Sequence, residues 1–223
     1  MSSDTTSLTV SVYSRLRSDI LAGRLPPGRK LKIQELSDRL GVSPSVVREA
    51  LSRLSAESLV LAEPQRGFRV SPINAADVRD LTAVRTDIEL KCLRSAIREG
   101  GLSWETAIVA ARHELVGTPY DIHDLSDGWT EAHAKFHYAL VAACDSPWLL
   151  RIREQLFVQG ERYRRINIRM SHEGRDLRVE HSELAQAVLN RNTPLAAELM
   201  REHLRLTQTL TLQSLMSADT AVA

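Results

Sequence analysis

Residues 43–54 constrain the fold of this chain more than any other stretch. They open on Ser43-Pro44, a helix-start pair. Serine is a favoured N-cap, and proline at the first helical position gives up an amide that has no helical partner. Val47, Leu51 and Leu54 follow at helical spacing as an inward stripe, leaving Ser45, Val46, Arg48, Glu49 and Ser52 for outward faces. Upstream, Ile33, Leu36 and Leu40 stripe a shorter helix that stops at Gly41. Before it, residues 10–22 read as a first helix, with Val12, Leu16, Ile20 and Leu21 recurring, closed by Gly23 and the turn cluster Leu25-Pro26-Pro27-Gly28. Downstream, residues 59–63 and 68–71 are strand candidates around Pro64-Gln65-Arg66-Gly67, a hairpin with a basic tip. Helix, turn, helix and wing make a winged helix-turn-helix, whose second helix of the pair enters the DNA major groove.

Beyond Ser71-Pro72 every pattern is helical. The expected spans are 75–99, 103–116, 124–144, 147–170, 174–190 and 193–216, punctuated at Gly100-Gly101, Gly117-Thr118-Pro119, Ser146-Pro147, residues 172–174 and residues 192–194. Six helices with short connections predict an antiparallel bundle. The expectation is a mainly α chain with a winged helix-turn-helix over residues 1–72 and a helical bundle over 73–223. Scarce aromatics, 4% of residues against 43% hydrophobic, fit a Leu/Ala/Val/Ile core of packed helices. Residues 1–72 carry 11 Lys/Arg against 7 Asp/Glu, a net +4, and the remainder carries 18 against 21, a net −3. A basic first third suits a nucleic-acid module. Cys92 and Cys144 make no disulfide framework. With no membrane-spanning run and no signal-peptide pattern, the expected location is the cytoplasm.

On the DNA-reading side, Arg48 sits one turn into the recognition helix, where arginine binds guanine O6 and N7 bidentately. Ser43 and Ser45 can reach a phosphate or a base, Arg66 beside Gly67 can approach the DNA from the wing, and Arg29, Lys30 and Lys32 add phosphate contacts. The competing role for Arg48 is an ion pair with Glu49 or Glu35. In the bundle, His133 and His137 are four residues apart and share a helix face, a natural half of a metal site. His181 and His203 lie among apolar neighbours on two later helices. Each histidine alone is compatible with a core position, and spacing leaves their convergence open. Arg85 is suited to gripping an anion bidentately, with Arg162 and Arg165 as further candidates; a surface salt bridge is the alternative for all three. Enzyme readings lack their motifs. His113-Glu114 is not followed by a second histidine at Gly117, no histidine has Glu three residues before it, and no Gly-x-Ser-x-Gly elbow is present, so no catalytic residue is assigned.

Residues 10–72 resemble the DNA-binding domain of the GntR family of bacterial transcription regulators. The resemblance is carried by Gly23, Leu25, Pro27, Gly28 and Leu31, the run Leu40 to Ser43, Val47-Arg48-Glu49-Ala50-Leu51, Leu54, and Arg66-Gly67 before Val70. Pro44 stands where the family commonly has arginine, which implies a shifted operator preference, and Ser58 stands where it usually has glycine, so the helix end needs a non-glycine cap. The helical part resembles the FCD ligand-sensing domain of FadR-type regulators, through Val84-Arg85 to Glu89, Phe136-His137, Asp145 to Leu149, Glu180-His181 and His203. Its six helices resemble the shorter VanR-like branch. The resemblance implies a divalent metal on His133, His137, His181 and His203. His133 replaces the family's usual aspartate, and that all-imidazole set favours Zn or Ni over Mn or Mg.

The resemblance further implies a small carboxylic acid effector, a homodimer on a pseudo-palindromic double-stranded operator, and repression relieved by the effector. The alternatives are a metal-dependent enzyme on a helical bundle and a DNA-binding protein whose bundle only dimerises.

Overall fold

The computed structural model describes the backbone of residues 2–120, 126–166 and 175–220, and the side chains of residues 7–120, 126–164 and 175–217. The chain divides into two compact units, Met1–Asn74 and Ala75–Ala223, where sequence places the boundary after residue 72.

The first unit runs α1 (Ser2–Leu21), β1 (Lys30–Leu31), α2 (Ile33–Leu40), α3 (Pro44–Ala56), β2 (Val60–Glu63) and β3 (Gly67–Val70). Leu16 of α1 and Val47, Leu51 and Leu54 of α3 have no exposed surface. Burial of such side chains stabilises by about 1.5–3 kcal/mol each. The three strands form an antiparallel sheet in the order β1-β3-β2, with Leu61 opposite Arg69 and Lys30 on that residue's other side. At the hairpin tip Arg66 N–H donates to the Glu63 carbonyl at 3.0 Å, with Pro64 and Gln65 between them. Gln65 carries the positive φ of 61° that a type II turn demands at that place.

Four expectations change here. α1 starts at Ser2, not at residue 10, because a Ser/Thr run has no apolar stripe to announce a helix that it nonetheless tolerates. Val46 is buried: the stripe of α3 is wide and includes Val46 and Ala50. Ser43 occupies the N-cap position without a side-chain cap hydrogen bond; its Oγ lies 2.8 Å from Ser45 Oγ. β1, two residues long, is too short to read from a pattern.

The helix end at Ser58 is a Schellman motif. Leu59 N–H donates to Leu54 O and Ser58 N–H to Ser55 O, both at 3.0 Å, with Ser58 at φ 58° in the left-handed region.

The second unit holds, among the described residues, α4 (Ala75–Glu99), α5 (Leu102–Gly117), α6 (Asp127–Val141), α7 (Pro147–Ile166), α8 (Leu177–Leu189) and α9 (Thr193–Thr220). Ser126 Oγ accepts from Trp129 N–H at the start of α6, and Asp176 accepts from Arg178 and Val179 N–H at the start of α8. α4 packs against α7 and α9, α5 against α6, and α8 against α9. Leu93, Ile108, Phe136, Leu140, Leu184 and Met200 lie at the centre of the core. Arg191, at φ 54°, closes α8; its guanidinium donates to the Ile97 and Gly100 carbonyls at 2.6 and 2.7 Å and so caps the end of α4. No helix among the described residues is long and apolar enough to cross a membrane.

Candidate metal centre and candidate DNA interface

α6 carries His133 and His137 one turn apart, both on its buried face, while α8 brings His181 and α9 brings His203 to the same point. One nitrogen from each of the four lies within 4.8 Å of the others. None of the four residues is more than 7% exposed, and Trp129, Phe136 and Phe157 stack on or abut their rings. Burial pushes all four imidazoles below the ordinary histidine range. For His133, His137 and His181 the shift is large, and repulsion from neighbouring histidines and arginines adds to it. At His203 a hydrogen bond to Glu180 opposes the shift in part. Four neutral imidazoles are therefore held in a buried site. Among the described residues, His133 Nδ1, His137 Nδ1 and Nε2, and His181 Nε2 have no hydrogen-bond partner. An unsatisfied buried polar atom costs about 1–3 kcal/mol, so several in one place call for a ligand. Deprotonated imidazole nitrogens of this kind fit a divalent transition ion.

Charged pairs surround the cluster. Glu180 Oε2 lies 2.9 Å from His203 Nδ1, within hydrogen-bond range, and Arg175 clamps the same carboxylate at 2.6 and 2.9 Å. Burial pushes the Glu180 carboxyl up, but the bonds from His203 and Arg175 outweigh it and hold it at about 2. Glu161, clamped by Arg164, lies 3.6 Å from His133 Nδ1. Arg153 grips Glu89 with three contacts of 3.0–3.1 Å in a fully buried pair. None of these pairs was anticipated from sequence. Glu180 adjoins His181 in the chain yet serves His203 on another helix, and 64 residues separate Glu89 from Arg153.

Arg85 behaves differently from Arg153. It is 93% buried, its guanidinium carbon sits 4.9 Å from the Phe157 ring centre, and it makes no hydrogen bond or ion pair among the described residues. Burial pulls its pKa down, while Glu89 and Glu161 push it back. Its space exists because residue 160 is glycine: a Cβ there would lie 2.1 Å from Arg85 Nη1. A cavity of about 20 Å³ between α4, α7 and α9 reaches Arg85, with Thr82, Gly160, Tyr163 and Thr211 in its wall. Arg162 is also buried, but it donates to Gln159 Oε1 at 2.7 Å and lies beside Asp77 and Tyr163. The side chain of Arg165 lies outside the described residues.

In the first unit, Arg48 projects from α3 into solvent with no ion pair among the described residues. The carboxylates that competed for it are engaged elsewhere: Glu49 pairs with Arg53 at 2.6 Å and Glu35 with Lys32 at 2.5 Å. Ser43 and Ser45 are exposed at the start of the same helix, and Arg66 and Gly67 at the hairpin tip. Gly67 has φ 88°, a conformation that favours glycine. Lys32 is exposed next to Arg29, Lys30 and Arg39, which line one shallow basic depression.

Residues 8–70 match the family model for bacterial regulatory proteins of the gntR family, and residues 80–206 match the FCD domain. BphR of Paraburkholderia xenovorans (strain LB400), an uncharacterized HTH-type transcriptional regulator, is 39% identical over 202 residues, spanning 89% of this chain and 82% of its own. The HTH-type transcriptional repressor GlaR of Escherichia coli (strain K12) is 38% identical over 200 residues, spanning 86% and 90%. Among solved structures, a GntR family regulator from Pseudomonas syringae pv. tomato str. DC3000 aligns over 97% of this chain and 89% of its own at 27% identity, with a TM-score of 0.58. A GntR regulator from Rhodococcus sp. RHA1 shares the fold with a TM-score of 0.74 over 93% and 98% of the two chains at 24% identity. The chain therefore belongs to the GntR family of bacterial transcriptional regulators, with an FCD domain following its winged helix-turn-helix in sequence.

Proposed function

We propose that this regulator is a repressor whose FCD domain binds one divalent metal ion and a small carboxylate effector, and that the effector lowers operator affinity. The observation that carries the proposal is the convergence of four buried, neutral histidines beside a buried arginine that makes no hydrogen bond or ion pair among the described residues. His133, His137, His181 and His203 would hold the ion, and the all-nitrogen set favours Zn or Ni. When bound, the ion supplies an uncompensated positive charge for an anionic group. Arg85 presents a guanidinium that matches a carboxylate bidentately. Trp129, Phe136 and Phe157 abut the histidines and help to bury the site, which strengthens that pairing.

On the DNA side, Arg48 reads bases in the major groove, Ser43 and Ser45 and the wing residues Arg66 and Gly67 contact the duplex, and Lys32 binds phosphate. One recognition helix reads one half-site, so the working form is a homodimer on a pseudo-palindromic operator, in the cytoplasm with the DNA. The repressor sense draws support from the Escherichia coli relative named a repressor. Effector and operator binding are linked through a coupling free energy: an effector that prefers the state with weaker DNA affinity releases the operator.

The test is a gel-shift titration with DNA from upstream of the protein's own gene, repeated over a panel of small mono-, di- and hydroxycarboxylic acids. At least one acid should weaken binding by the parent and leave Arg85→Met unaffected. An equal response of the two proteins, or no response of the parent to any carboxylate, contradicts the proposal.

A further inference from the structure

Two carboxylates stand near outer nitrogens of the histidine cluster, and their geometries differ. Glu161 lies 3.6 Å from His133 Nδ1, too far for a hydrogen bond, and that nitrogen has no hydrogen-bond partner among the described residues. Glu180 lies 2.9 Å from His203 Nδ1, within hydrogen-bond range. Arg175 also approaches that nitrogen, at 3.3 Å. Both Arg175 and a protonated Nδ1 are donors, and an ionised carboxylate only accepts. With Arg175 fixing Glu180 as a carboxylate at 2.6 and 2.9 Å, the proton between Glu180 and His203 belongs to Nδ1. Nε2 of His203 is then left as the lone pair. Arg175 is anchored in turn, donating to the Thr207 hydroxyl at 3.2 Å and the His203 carbonyl at 3.3 Å.

We infer that Glu180 is a positioning residue for the histidine site: it locks His203 in the Nδ1–H tautomer and so turns Nε2 into a ready metal ligand. The inference rests on the metal reading proposed above. A neutral imidazole exists in two tautomers, and a buried one without a fixed partner divides between them or flips its ring. The carboxylate removes that choice and makes the opposite nitrogen more basic. The residues that do this come from three places: the segment just before α8 (Arg175), α8 itself (Glu180) and α9 (His203, Thr207), so the lock also ties α8 to α9 at the level of the site.

The experiment measures Zn2+ affinity of the full chain by competition with a chromophoric chelator, in the parent, Glu180→Gln and Arg175→Met. Both substitutions break the Glu180–Arg175 pair, but only Glu180→Gln removes the charge from His203. Glu180→Gln should lose roughly 10–100-fold in Zn2+ affinity, the usual effect of losing such an outer partner. Arg175→Met should keep the parent affinity even where its melting temperature falls. Histidine 15N spectra of zinc-free parent should show His203 as the Nδ1–H tautomer, a readout that holds even if Glu180→Gln fails to fold. Parent-like Zn2+ affinity in Glu180→Gln, equal loss in both variants, or an Nε2–H tautomer in the parent overturns the inference and leaves the metal reading standing. Absence of Zn2+ binding by the parent overturns both.

Discussion

Single residues in this chain divide by whether their surroundings satisfy them. Arg48 is exposed while its neighbouring carboxylates are engaged by Arg53 and Lys32, so its guanidinium is available to a partner outside the chain. Arg48→Ala should cost about 1–3 kcal/mol of discrimination between operator and random DNA, with the melting temperature unchanged. Fluorescence anisotropy against both duplexes measures it, and equal discrimination by parent and variant contradicts the base-reading role. Ser58 is the opposite case, a side chain in a conformation that suits glycine. Ser58→Gly keeps the Schellman bonds of Leu59 and Ser58 and removes left-handed strain, so it should stabilise the folded state by about 0.5–1 kcal/mol. Urea unfolding at equal slope checks the gain. The sequence already flagged this position, because the family pattern places glycine there.

At the scale of elements, legibility followed the range of the interaction. Helix ends at Gly41, Gly23, Gly117 and Ser146-Pro147 were readable because glycine and proline act on their own backbone. Over the described residues the six spans of the second unit were close for the same reason; residues 124–125, 167–170 and 174 of the expected spans lie outside the described residues. What failed to read was either short or non-local. β1 has two residues, and Val46 was misjudged because the apolar face of α3 is wider than a three-residue stripe. The pairing of His133 with His137 was legible as an i,i+4 step on α6. Their meeting with His181 and His203 came only from family resemblance, since spacing across three helices carries no distance information. The Arg153–Glu89 pair, which joins α7 to α4, had no signal at all. Both side chains are essentially unexposed, with relative exposures of 1% and 0%, so Arg153→Met leaves Glu89 charged and without its hydrogen-bonded partner. That should destabilise by about 3–5 kcal/mol, while Glu89→Leu combined with Arg153→Met should recover most of the loss. Thermal unfolding of the two variants decides it; a double variant as unstable as the single one contradicts this account of the pair.

For the whole molecule, the buried histidines tie stability to pH. In the unfolded chain an imidazole takes up a proton below about pH 6.5; in the folded chain burial holds all four below that range. Between those limits the unfolded state binds more protons, so stability is complete above about pH 6.5 and is lost as pH falls through the depressed folded values. Zinc-free protein should therefore unfold at lower urea concentration at about pH 5.5 than at about pH 7.5, and His137→Phe should flatten that dependence. The central claim is that the four histidines form a metal site inside an FCD regulator. Elemental analysis of untagged protein beside His137→Ala tests it most directly. The parent should carry one equivalent of zinc or nickel per chain and lose melting temperature on chelation, because an ion bound only to the folded state stabilises it by mass action; His137→Ala should carry none and ignore the chelator. Equal metal content in the two proteins, or none in the parent even after incubation with either ion, would contradict the account.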